Sequence, residues 1–289
     1  MKRMANKPTN NFPRRFVFHG NAVAAEVFLT KIGNVEQTAI NPVTGQSSLP
    51  VIGGKSVSEV LTPSLSAQLA SVFSYGAART NAEGIFEGKN AITTVEASVN
   101  DVRVTNRPAP KQSADLSPIE FRAGALSLSL RSTHPPKGQP HIEFAQTPQF
   151  QGVSLNGKPI LLELNTELMQ LSRWSDLAKR FRTNRKFFES CPFGPFDPKS
   201  PLAFGQEIPY AAGSYALCSF VRSIKWGDQT IAGHVLTHPG FGSIYFGEIL
   251  LNDRERRITM VRMQLGCENA GQAVFAEGDP NGTYWPPHT

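Results

Sequence analysis

The chain has 289 residues, of which 40% are hydrophobic and 18% are charged. These values exclude an intrinsically disordered chain, which would carry too few apolar residues to bury a core, and the length suits one large domain or two small ones. Lysine and arginine number 29 against 23 acidic residues, and the resulting net charge of +6 permits contact with nucleic acid, another anionic polymer or a membrane surface without requiring it.

The N-terminal residues 1–14 are polar and basic, and they are predicted to form a flexible arm. The alternative is an arm that becomes ordered against a neighbouring subunit or a polyanion. The basic residues are not followed by the apolar stretch that a signal peptide needs, and no run of 18 apolar residues predicts a transmembrane helix. We therefore predict a cytoplasmic protein without a membrane span.

Residues 15–164 are predicted to form a β-rich first half. Glycine (24) and proline (22) are frequent, which is typical of many short strands joined by turns. In the clearest strand, Leu126, Leu128 and Leu130 alternate with polar residues. Asn156 and Gly157 give the strongest hairpin signal, because both residues tolerate a positive φ.

One amphipathic helix is predicted near 165–188, inside a helix-and-connector segment at 165–190. Apolar residues recur there at every third or fourth position between Leu164 and Phe181. Either Asn165 or Thr166 can cap the start of this helix. It is the only segment of the sequence with a convincing helical period.

The C-terminal end of that helix carries a basic run in which cations alternate with phenylalanines. One interpretation is a polyanion-binding site, in which the cations hold phosphates and the aromatic rings stack on bases. The other is structural, because cations stabilise a helix C-terminus and phenylalanines pack in a core. The candidate polyanion-binding residues are Lys179, Arg180, Arg182, Arg185 and Lys186.

Residues 191–289 are predicted to form a β-rich second half, which could equally be one domain with residues 15–164. Four strands in succession are expected between 213 and 267. In the last of them Ile258 and Met260 lie on one face and Val261 and Met263 on the other, which indicates a β-bulge or a strand covered on both faces. The predicted fold is therefore mainly β, with antiparallel sandwich or barrel-like sheets. A weak similarity between the regions near 15–32 and 213–227 allows two similar β halves.

His234, His238 and Glu248 are the candidate metal ligands. Two histidines four residues apart on a strand and its turn, with a carboxylate on the returning strand, could bind Zn²⁺ or Fe²⁺ and leave a coordination position open. The alternative is a set of ordinary hydrogen-bonded histidines. The spacing is diagnostic of zinc on a helix and not on a strand, so the residues alone imply no required cofactor.

Three cysteines, Cys191, Cys218 and Cys267, are too few and too far apart for a disulfide framework or a zinc knuckle. Cys218 lies on an apolar strand face and is predicted to pack as a small hydrophobic residue. A single disulfide, for example between Cys191 and Cys267, remains open at this level.

Three functional hypotheses follow from these patterns. Motifs for nucleotide binding and for serine hydrolysis are absent from the sequence. We therefore predict a non-catalytic β-rich structural or binding protein that self-associates as a homo-oligomer or binds a protein partner. The first alternative is a metal-dependent enzyme or metal-binding domain that uses His234, His238 and Glu248. The second is a nucleic-acid-associated coat or binding protein that uses the basic arm and the basic run.

Overall fold

A computed structural model describes residues 15–33, 35–108, 117–191, 204–205, 216–251 and 256–285. The predicted basic arm at 1–14 and most of the proline-rich segment after Cys191 lie outside these residues. Eighteen strands lie within the described part of the chain. Those before the helical segment are β1 (Arg15–Ile32), β2 (Val35–Ser48), β3 (Gly54–Val60), β4 (Phe73–Ser74), β5 (Ala78–Glu87), β6 (Asn90–Asn106), β7 (Ile119–His134), β8 (His141–Phe144), β9 (Gln149–Gln151), β10 (Ser154–Leu155) and β11 (Lys158–Leu164).

Seven strands follow the helical segment, and four short helices complete the elements. The strands are β12 (Ala216–Ser219), β13 (Val221–Trp226), β14 (Gln229–Ala232), β15 (Val235–His238), β16 (Gly242–Leu251), β17 (Arg256–Gly266) and β18 (Ala270–Trp285). The helices are α1 (Ala67–Ala70), α2 (Thr166–Gln170), α3 (Trp174–Thr183) and α4 (Arg185–Ser190).

The strands form two antiparallel sheets that pack as a sandwich and do not close into a barrel. The small sheet has the order β12-β16-β17-β18-β1-β2, with β15 also paired to β16. The large sheet has the order β14-β13-β11-β10-β7-β6-β5-β3, with β4, β8 and β9 attached at its side. The prediction of a mainly β fold with antiparallel sheets is confirmed.

The two sheets do not correspond to the two halves of the sequence. β1 pairs with β18 from Arg15 opposite Trp285 to Lys31 opposite Ala270, so the two ends of the described chain share one sheet. In the large sheet, β13 and β14 extend β11. Each sheet is thus built from both halves, and the domain boundaries and the duplication stay predictions.

The core lies between the facing sheets. Phe275 of the small sheet stacks on Phe73 of the large sheet with ring centroids 5.5 Å apart, and Phe246 meets Phe150 at 6.3 Å. Each fully buried phenylalanine contributes about 1.5–3 kcal/mol by leaving water. The alternating leucines of β7 point into this core as predicted, since Leu126 is fully buried.

A local irregularity crosses the small sheet at the position where the sequence of β17 switches face. The strand pairing skips Gly247, Met260 and Ala276, and Gly247 and Ala276 have φ values of 63° and 51°. These left-handed residues rotate the side chains that follow them to the other face of the sheet. The face switch read in β17 is therefore a property of three neighbouring strands.

The segment predicted as one helix is three short helices, α2, α3 and α4. Leu171 and Asn184 have extended backbone angles and end α2 and α3. The Asn184 side chain caps α4 by accepting from the Phe187 N–H at 2.9 Å, which favours a new helix start over continuation of the old one. The apolar period predicts the helical segment, but it continues across both breaks and therefore does not indicate them.

Candidate functional site

The five predicted cations lie on the two consecutive helices α3 and α4. Trp174, Leu177 and Phe181 are the buried residues of α3, and their spacing places them on one helical face. Lys179, Arg180, Arg182, Arg185 and Lys186 are all exposed. We call these five residues the basic surface.

The aromatic residues of the basic run do not share that exposure. Phe181 and Phe187 are each 2% exposed, and their rings contact each other with centroids 5.2 Å apart. They are core contacts that hold α3 against α4. The basic surface therefore offers charge, but these two rings are not available to stack on a base.

Two arginines of the basic surface have described contacts with neighbouring side chains. Arg180 forms an ion pair with Glu167 of α2, and the Arg185 guanidinium lies 5.0 Å from the centre of the Phe204 ring. Residues 167–190 contain six cations and three acids, so this segment carries +3 of the chain's +6. Half of the net charge is concentrated in 24 of the 289 residues.

The predicted metal ligands are only partly brought together. His234 Nε2 lies 3.8 Å from Glu248 Oε1, a distance too long for a hydrogen bond. Glu248 already accepts two hydrogen bonds from Arg262, at 2.7 Å from Nε and 2.9 Å from Nη2. Burial alone would raise the pKa of Glu248, but the bonds to Arg262 and the nearby His234 keep this pKa below its ordinary value.

His238 has a different environment from the other two. Its ring meets Trp226 of the large sheet edge-on at 5.8 Å, and its Nδ1 accepts from the Gly240 N–H at 3.1 Å. Burial, followed by the charge of Lys158, lowers the pKa of His238. Within the described ranges, no cluster of three or more histidine, cysteine, aspartate or glutamate residues could hold a metal ion.

The metal site stays a prediction that purified protein can test. If His234 and Glu248 bind Zn²⁺ or Fe²⁺, the metal must use the remaining lone pairs of Glu248 or displace Arg262, which donates to both carboxylate oxygens. Elemental analysis would then give a stoichiometric metal that is lost in His234→Ala. A His238→Ala variant with unchanged metal content would further show that the third predicted ligand is not needed.

The cysteines are free thiols in this structure. Cys267 donates to the Pro239 carbonyl at 3.0 Å, whereas Cys191 accepts from Asn165 Nδ2 at 3.2 Å. Burial raises the pKa of Cys191 to about 11, and Cys218 is fully buried as predicted. The Cys191–Cys267 disulfide left open by the sequence is not formed.

A polar cleft on the outer face of the large sheet was not identified from the sequence. It measures about 290 Å³ and lies over the adjacent strands β5, β6 and β7, beside the turn at Gln146 and Thr147. Its central carboxylate, Glu96, already accepts from Asn81 Nδ2 at 3.2 Å. The polar residues alternating with the leucines of β7 are the signal that could have found one wall of this cleft, but the sequence does not show which strands lie beside β7.

The described part of the chain contains no helix with the length and apolar character needed to cross a membrane. The family described as Domain of unknown function (DUF8256) matches residues 16–193, which is more than half of the chain. The match runs from β1 to α4 and includes the basic surface, but it contains none of the strands β12–β18. No curated protein and no solved structure matches the chain.

Proposed function

We propose that this chain, which belongs to the family described as Domain of unknown function (DUF8256), is a non-catalytic binding protein that holds nucleic acid at its basic surface. The observation that carries the proposal is the joint exposure of Lys179, Arg180, Arg182, Arg185 and Lys186 on two consecutive helices. Clustered cations bind the phosphate backbone and release its counterions, which is the main source of sequence-independent affinity.

The burial of the aromatic rings determines the mode of binding. Single-strand binding proteins stack bases on exposed aromatic side chains, whereas Phe181 and Phe187 are buried beneath the basic surface. Contacts limited to phosphates carry no sequence information. We therefore infer binding that is independent of base sequence and that depends strongly on salt.

Neutralising two cations of the basic surface should weaken binding in a measurable way. In the double variant Lys179→Gln, Lys186→Gln, we expect the slope of log Kobs against log salt concentration to become smaller in magnitude by about 1.8 for duplex DNA, because each lost phosphate contact removes about 0.9. The measurement is a fluorescence anisotropy titration of a labelled duplex at four or more salt concentrations.

The matched control is Lys89→Gln, Lys225→Gln, which removes the same charge from two exposed lysines outside the basic surface. We expect the control to keep the wild-type slope. Equal losses in the two double variants would show that binding follows net charge alone, and the proposal would then fail. It would also fail if wild-type protein did not bind the duplex at low salt.

A further inference from the structure

Within the residues that the structure describes, the edge of the large sheet at β3 has an open hydrogen-bonding side. Among the described strands, β3 pairs with β5 alone, from Gly54 opposite Gly84 to Val60 opposite Ala78. Every second residue of such an edge strand turns its N–H and C=O away from the sheet, where another strand can bind them. β3 contains no proline that would remove a donor.

The outer face of β3 has an unusual symmetry of charge. Lys55, Val57 and Glu59 are exposed on the same face, and Val57 is half exposed in the middle of the strand. A lone lysine on an edge strand prevents pairing. Here, however, a lysine and a glutamate lie at equal distances on either side of an apolar residue, so the face is complementary to its own copy in the antiparallel direction.

A two-fold axis through Val57 brings these side chains into register. Lys55 then lies opposite Glu59 of the second copy, and Val57 lies opposite Val57. Because Lys55 faces Glu83 and Glu59 faces Arg79 within each chain, the charges across the joint alternate in the order Glu83, Lys55, Glu59, Arg79. Registers centred on Lys55 or on Glu59 would place like charges opposite each other, which is unfavourable.

The same register covers exposed apolar residues at both ends of β3. Ile52 just before the strand is 85% exposed, and Leu61 just after it is 71% exposed. Ile52 lies in the turn before the strand and Leu61 in the bend after it, so with the axis at Val57 the Leu61 end of one copy lies beside the Ile52 end of the other. Two such contacts form, one at each end, as a two-fold interface requires.

We propose that two copies of this chain associate through antiparallel pairing of β3 with β3, which joins their large sheets across a two-fold axis at Val57. This interface does not depend on nucleic acid binding at the basic surface. One strand pair with two apolar end contacts forms a small interface, so we expect a dimer with a dissociation constant in roughly the micromolar range.

The test uses two charge-reversal variants. Each variant places like charges opposite each other in its own homodimer, whereas a heterodimer of the two variants places opposite charges there. Glu59→Lys places two lysine pairs across the interface, and Lys55→Glu places two glutamate pairs there. In a mixture of the two variants, the heterodimer regains both pairs of opposite charge. Sedimentation velocity over a concentration series measures association of wild type, of each variant and of the equimolar mixture, and circular dichroism checks that each variant is folded.

We expect each variant alone to dimerise about tenfold more weakly than wild type, or weaker still, and the mixture to recover most of the wild-type association. Three outcomes would overturn the proposal: wild-type protein that is monomeric throughout the series, single variants that dimerise as well as wild type, or folded variants whose mixture shows no recovery. If association is recovered only in the mixture, misfolding cannot explain the weak association of the single variants, because mixing changes neither chain.

Discussion

Replacing Arg256 with methionine is expected to lower the free energy of unfolding by about 2–4 kcal/mol. Arg256 is 5% exposed at the start of β17. Its Nη1 donates to the Ile142 carbonyl and its Nη2 to the Leu171 carbonyl, both at 2.8 Å. Hydrogen bonds from a charged donor contribute about 1.5–3 kcal/mol each, and methionine leaves both carbonyls without this donor.

The two carbonyls that Arg256 binds belong to different parts of the fold. Leu171 ends α2 and Ile142 lies in β8, so one guanidinium joins the helical segment, the large sheet and the small sheet. Burial lowers the pKa of Arg256 only to about 10, so the group stays charged at neutral pH and its bonds remain charge-assisted.

The matched control for this experiment is Arg256→Lys, which keeps the charge but cannot reach two carbonyls in the planar geometry of a guanidinium. We expect the lysine variant to be destabilised as well, by less than the methionine variant. Urea unfolding of the three proteins at pH 7 gives the comparison. A methionine variant within 0.5 kcal/mol of wild type, the usual range for an inconsequential surface change, would contradict the role assigned to Arg256.

Arg256 also shows why the sequence did not predict the break between α2 and α3. Local periodicity is visible in the sequence between Leu164 and Phe181, but the donor that holds the end of α2 comes from a residue 85 positions later. By contrast, the turn at Asn156 and Gly157 was predictable, because its φ values of 50° and 72° follow from those two residue types alone. The break between α3 and α4, by contrast, rests on a local cap by Asn184, which the continuous apolar period of the sequence concealed.

The two candidate sites also differ in how far the sequence could predict them. The cations of the basic surface could be identified because they are close in sequence. The burial of Phe181 and Phe187 could not be predicted and is known only from the structure. The predicted metal ligands depended on which strands face each other. His234 and Glu248 do approach one another, but Arg262 on β17 is the closer partner of the carboxylate, and no spacing in the sequence indicates that pairing.

Replacing Arg262 with methionine should reveal the cost of leaving Glu248 without its partner. The Glu248 side chain is 8% exposed and that of Arg262 is 27% exposed. Removing one member of a fully buried ion pair costs about 3–5 kcal/mol, and the partial exposure of Arg262 reduces our expectation to about 2–4 kcal/mol at pH 7. This loss should also depend on pH, because Glu248 titrates.

The sign of the pH dependence follows from the balance between burial, which raises the pKa of Glu248, and Arg262 and His234, which lower it. In wild type its pKa is depressed on folding, so its contribution to stability is present above the unfolded-state pKa and is lost as the pH falls through the folded-state pKa. In Arg262→Met, burial is opposed only by the nearby His234, and we expect the pKa of Glu248 to rise above the unfolded value. The stability of the variant should then increase as the pH falls from 7 toward 4.5, and its difference from wild type should shrink.

The double variant Glu248→Gln, Arg262→Met separates the buried charge from the lost packing of the arginine. Glutamine is neutral and close to glutamate in shape, so the double variant should be more stable at pH 7 than Arg262→Met alone. Its difference from wild type should also change less between pH 7 and 4.5 than that of Arg262→Met. Urea unfolding at several pH values measures both effects. If the single and double variants lost the same free energy at every pH, the cost would come from the packing of Arg262 on Tyr245, whose ring centre lies 3.8 Å from the guanidinium, and not from the charge on Glu248.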